Sequence, residues 1–182
     1  MDIIDEINLQ TGDLILFTGN TLISSFINNF IKVGIIIKNP RFLDPSLEDG
    51  LYLLESGNEG IVQLNLLEDI LRLCSKSTVY VRSIVCIRDE EFYQKLRDTY
   101  GQMNNIFEWI EDTFKLDYTH YYMCIPLPYR KKYCSLMTAY VFCKLGLIDE
   151  KINWNTISPY DFSCDSTAIQ FLCQVNPKKL LF

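Results

Sequence analysis

The spacing of apolar residues changes near residue 89, and that change constrains the fold more than any other feature of the chain. Before it, the apolar runs are short and bounded by turn formers. Leu14-Ile15-Leu16-Phe17 follows Gly12-Asp13, Val33-Gly34-Ile35-Ile36-Ile37 ends at Asn39-Pro40, and Leu51-Tyr52-Leu53-Leu54-Glu55 runs toward Gly57 and Gly60. Such runs read as buried strands, and the β-branched content of the second suits a pleated surface. Residues 61–63 return as the hairpin partner of 51–55, and residues 78–84 form a further strand. Two helices interrupt this half. One over residues 21–32 is capped by Asn20 and places Leu22, Ile23, Phe26, Ile27, Phe30 and Ile31 at helical spacing; a short amphipathic one covers 64–73. After residue 89 helices dominate. Asp89 caps one running to about Tyr100, Asn104 or Asn105 opens another to Phe114, and residues 133–145 form a third, closed by Gly146. Strands first and helices mostly later define an α+β domain.

No repeat, low-complexity tract or linker divides the chain, so one domain over residues 1–182 is expected, long enough to bury a sizeable core. Apolar residues make up 48% and charged residues 22%, the balance of a soluble globular protein. A net charge of −6 excludes a general nucleic-acid binder, and the run Arg130-Lys131-Lys132 is too short to supply a basic face. The acidic start Met1-Asp2-Ile3-Ile4-Asp5-Glu6 is unlike a signal peptide, and no apolar stretch approaches the roughly 20 residues of a membrane span. Seven cysteines (Cys74, Cys86, Cys124, Cys134, Cys143, Cys164 and Cys173) show no CxxC or Cys/His ligand spacing. No metal or other cofactor is therefore expected. Their apolar settings suit buried thiols in a reducing, intracellular compartment.

Cys134 is the exception. It follows three cations at the expected start of a helix, where the positive helix end and nearby charge favour the thiolate. The alternative is an inert cysteine in a first helical turn. The chain has a single histidine, His120, in Asp117-Tyr118-Thr119-His120-Tyr121-Tyr122, and a surface or packing role suits it better than rescue of the thiol. The surrounding Tyr118, Tyr121, Tyr122 and Tyr129 read as core or interface material.

An ordered set of segments carries a family likeness. Gly12-Asp13-Leu14-Ile15 is followed by Lys32-Val33-Gly34-Ile35, then Leu54-Glu55-Ser56. Tyr133-Cys134-Ser135, Lys144-Leu145-Gly146-Leu147 and Ser158-Pro159-Tyr160-Asp161-Phe162 come much later. This order resembles the circularly permuted branch of the NlpC/P60 papain-like superfamily, which includes YiiX-like proteins and relatives in poxviruses and other large DNA viruses. The resemblance implies a small antiparallel sheet packed against helices, with Cys134 at the N-terminus of one helix. It places Cys134 at the nucleophile position, Glu55 at the orienting polar position and Lys32 at the base position, where the family carries histidine.

That lysine changes the expected chemistry. A cysteine hydrolase needs a base that titrates near neutral pH, whereas a lysine ordinarily holds its proton to about pH 10.4. With Glu55 nearby, an ion pair filling the base site is expected. The resemblance then implies a catalytically impaired protein serving as a binding or structural component, with a protein partner or self-association. A virion or host-interaction protein of a large DNA virus, in host cytoplasm or virion, fits the Ile-, Asn- and Tyr-rich composition. The alternative is an active cysteine hydrolase or acyltransferase on an amide, thioester or lipid ester, with Cys134 as nucleophile and Lys32 or His120 as an unusual base. A third reading, an unrelated α+β scaffold, requires Cys134, Lys32 and Glu55 to lie far apart.

Overall fold

The computed structural model describes residues 8–19, 30–56, 61–103, 132–152 and 157–181. Among them, six strands form one antiparallel sheet in the order β4-β3-β2-β1-β5-β8. These are β1 (Leu14–Thr18), β2 (Phe30–Lys38), β3 (Leu51–Ser56), β4 (Val62–Leu66), β5 (Val79–Arg82) and β8 (Lys179–Leu180). A separate ribbon pairs β6 (Ile84–Val85) with β7 (Gln174–Val175). The described helices are α1 (Leu67–Leu73), α2 (Glu90–Gln102) and α3 (Lys132–Lys144).

The central strands are continuously apolar because the sheet is buried on both faces. Leu14, Leu16, Val33, Ile35, Ile37 and Leu54 face one cluster, which includes Phe92 and Leu96 of α2 and Met137, Val141 and Phe142 of α3. Ile15, Phe17, Ile36, Leu53, Val79 and Val81 face the other, closed by Leu67, Ile70 and Leu71 of α1. Each such side chain, once fully buried, contributes about 1.5–3 kcal/mol. The helix that carries Cys134 is thus held against β2 and β3 by its whole apolar length, while α2 packs on α3.

Local signals set the helix ends. Asp89 accepts a hydrogen bond from the Phe92 N–H at 3.0 Å and caps α2. At the end of α3 the Gly146 N–H reaches the Cys143 carbonyl and the Leu147 N–H the Phe142 carbonyl, at 2.9 and 2.8 Å. This six-to-one, five-to-two pattern needs a left-handed residue, and Gly146 has φ +69°.

Three sequence expectations are corrected. Phe30–Lys32 are not the end of a helix but the start of β2; they pair with β1 through a bulge between Phe17 and Thr18. The ladder to β1 outweighs a spacing that a strand and a helix share over so short a run. Leu64 and Leu66 belong to β4, opposite Leu54 and Tyr52, so α1 begins at Leu67. The strand expected over 78–84 is split at Ser83, because the Ile84 N–H is captured by the Asp13 carboxylate at 2.9 Å and the chain turns into the β6–β7 ribbon. The helix body at 21–29, the Gly57–Gly60 turn and the helix expected from Asn104 or Asn105 lie outside the described residues.

Candidate functional site

Cys134 is the third residue of α3 and is 3% exposed. Burial pushes its thiol above the ordinary cysteine range. Opposing this, in falling order, are the backbone N–H of Val33, the charge of Lys32, and the N–H groups of Ser135 and Cys134 itself. The N–H groups of the helix start and of Val33 on β2 favour the thiolate, but withdrawal from water is the larger effect.

Lys32 stands directly across from Phe17 on β1, with its ammonium 5.8 Å from the ring centroid. Phe17 belongs to the cluster on the face away from α3, so the Lys32 side chain turns to that face. There it forms an ion pair with Glu55 on β3. Glu55 is only 4% exposed, and its other oxygen accepts a hydrogen bond from the Asn65 side-chain amide at 2.9 Å. Lys32 retains 29% side-chain exposure. The structure thus brings Lys32 and Glu55 into contact on one face of the sheet, with Cys134 on the other, so that Lys32 acts on the sulfur only as a charge at a distance. His120 and the tyrosines around it lie outside the described residues.

The Gly12-Asp13 turn shapes the far end of β1. Asp13, 1% exposed, accepts hydrogen bonds from the N–H groups of Gln10 and Ile84, both at 2.9 Å, and pairs with Arg88 at 3.1 Å. Burial still raises its carboxyl above the usual range. Ser158–Phe162 is a supporting turn. Asp161 accepts from both the N–H and the hydroxyl of Ser158 at 2.8 Å, and Phe162 packs edge-on against Phe142 of α3. The Ser135 hydroxyl donates to the Ile157 carbonyl at 3.2 Å, tying the cysteine-bearing turn to the same segment.

Two contributors were not anticipated from sequence. The Val33 N–H is backbone and leaves no residue-type signal. Asn65 lies beyond the expected hairpin partner at 61–63; the register sets it opposite Leu53, from where its amide reaches diagonally to Glu55.

Fold and site together define an α+β scaffold with a helix-borne cysteine on one face of the sheet and an ion pair on the other. The chain is similar to the crystal structure of metalloprotein YiiX (DUF1105) from Escherichia coli O157:H7. The two are 16% identical, with a TM-score of 0.51 over 91% of this chain and 97% of that one. No family model matches the chain, and no curated protein matches it in sequence. Although that neighbour is described as a metalloprotein, no group of three or more His, Cys, Asp or Glu side chains that could hold a metal ion occurs among the described residues. No helix among the described residues is long and apolar enough to cross a membrane.

Proposed function

We propose that this chain is a papain-like cysteine-hydrolase relative with an impaired chemical step, working as a binding or structural component. The observation that carries the reading is that Lys32 is committed to an ion pair with Glu55 on the sheet face away from α3, while burial raises the pKa of the Cys134 thiol. A lysine accepts a proton from a thiol only in its neutral form, and a carboxylate in contact favours the charged form. The same ammonium is also turned toward Phe17 rather than held as a dedicated partner of the sulfur. Lys32 is therefore not prepared to act as the base. A protein partner or a second copy is the ligand class we assign, since the net charge of −6 disfavours nucleic acid. A virion or host-interaction role in a large DNA virus is supported by composition and by the family resemblance.

One observation favours the second reading, an active hydrolase or acyltransferase on an amide, thioester or lipid ester. The Val33 N–H and the Lys32 charge both stabilise a Cys134 thiolate once formed. The pH dependence of Cys134 alkylation by iodoacetamide separates the two, using wild type, Lys32→His and Cys134→Ser. The impaired reading predicts labelling slower than an unhindered thiol below pH 9 and a rate plateau near neutrality only in Lys32→His. Selective labelling of wild-type Cys134 at pH 6 establishes a primed nucleophile and overturns the impaired reading.

A further inference from the structure

The β6–β7 ribbon pairs Ile84 with Val175 and Val85 with Gln174. The ribbon ends at Val85 and Gln174, and its register extended by one residue aligns Cys86 with Cys173. The burial alternation of the flanking residues is in phase with that alignment. Ile84, Cys86, Cys173 and Val175 pack toward the main core, whereas Val85, Ile87, Leu172 and Gln174 are exposed.

The hydrogen-bond phase of the ribbon fixes the kind of pair. The Asn176 N–H donates to the Ser83 carbonyl at 3.0 Å, which makes Ser83 and Asn176 a hydrogen-bonded pair. Antiparallel ladders alternate, so Ile84/Val175 is non-hydrogen-bonded and Val85/Gln174 hydrogen-bonded, and the position just past the ribbon's end, where Cys86 and Cys173 align, falls in the non-hydrogen-bonded phase. At such sites the Cα atoms approach to about 4.5 Å and the side chains are closest. A disulfide spans Cα separations of about 4.4–6.8 Å.

We propose that Cys86 and Cys173 are a redox modification site, closing to a reversible cross-strand disulfide by exchange with a small disulfide such as oxidised glutathione. Both are thiols in this structure. Charge on Cys86 acts on Cys173, which reports their proximity, and Arg88 favours the thiolate of each against the opposing effect of burial.

The chemistry balances. Cys86 loses its proton and its thiolate attacks glutathione disulfide, forming a mixed disulfide and releasing one glutathione thiolate. Cys173, deprotonated in turn, attacks the Cys86 sulfur, forming the Cys86–Cys173 bond and releasing the second. Two protein thiols are oxidised and one glutathione disulfide is reduced to two glutathiones. The bond closes a loop holding α2, α3 and Cys134, and fixes the segment whose Phe171 packs on Phe142. For a loop of this length the melting temperature is expected to rise by about 10 °C.

The test equilibrates the full chain with rising ratios of oxidised to reduced glutathione, alkylates the remaining thiols and maps peptides without reduction. The expected result is one cross-linked peptide pair joining Cys86 to Cys173, two hydrogens lighter than the reduced pair, with the rise in melting temperature. Both signals should vanish in Cys86→Ser and in Cys173→Ser and persist in Cys134→Ser. A wild-type map in which Cys86 and Cys173 are both alkylated at ratios that oxidise dithiothreitol, or are joined to other cysteines, overturns the proposal. Because the wild-type map decides, a variant that fails to fold does not obscure the answer.

Discussion

Replacing Lys32 by methionine removes the cation from Glu55 while keeping an unbranched stem of similar reach. Glu55 is 4% exposed, so the variant leaves a carboxylate in a site that water hardly reaches. Stripping one partner from a buried ion pair costs about 3–5 kcal/mol. The lower end applies here, because Lys32 keeps 29% of its side chain in water and the Asn65 amide still donates to Glu55. A loss of about 3 kcal/mol corresponds to a melting temperature lower by about 9 °C for a chain of this size. Urea titration should show the midpoint falling with an unchanged slope. Adding Glu55→Met to Lys32→Met should recover most of the loss, with a coupling of about 2 kcal/mol in the double-mutant cycle. A single-variant cost below about 0.5 kcal/mol, in the range of ordinary surface substitutions, or a cycle without coupling, would refute the reasoning.

Three further outcomes follow from the core. A Cβ at Gly34 would lie 2.6 Å from Leu53 Cδ1 and 3.1 Å from the Leu54 carbonyl oxygen, so Gly34→Ala should cost about 1–3 kcal/mol in a thermal or urea melt. Thr138 Oγ1 is buried with no hydrogen-bond partner among the described residues, so the near-isosteric Thr138→Val should raise stability by about 1 kcal/mol in the same assays. Burial pushes the Cys143 thiol up to about 12. The folded state therefore holds this proton more tightly than the unfolded chain. Its contribution is complete below the unfolded thiol value of about 8.5 and is lost as pH rises toward 12. Urea midpoints at pH 8 and pH 10 should consequently fall less in Cys143→Ala than in wild type.

The strand half of the fold was readable because a sheet buried on both faces writes itself as unbroken apolar runs, as in Leu14–Phe17 and Ile35–Ile37. The caps of α2 and α3 were readable because Asp89 and Gly146 supply chemistry that few other residues can. What sequence hid were choices made by tertiary pairing. Phe30 and Ile31 satisfy helical spacing yet join β1 across a bulge, and Leu64 and Leu66 complete a hairpin rather than a helix. Ser83 carries no breaker signal; the strand divides there because Asp13, seventy-one positions from Ile84 in sequence, takes the Ile84 N–H. At the site, Lys32, Glu55 and Cys134 were identifiable as residue types in an ordered motif. Their burial and facing were not, because these depend on the β1–β2 register, which sets Lys32 across from Phe17.

The most direct test of the impaired site is the ionisation of Cys134 itself, read as thiolate absorbance near 240 nm in wild type minus Cys134→Ser across pH 5–11. Cys134 should show no thiolate at pH 7 and a midpoint above that of an ordinary thiol. A thiolate already formed at pH 7 would contradict this expectation and identify Cys134 as a working nucleophile.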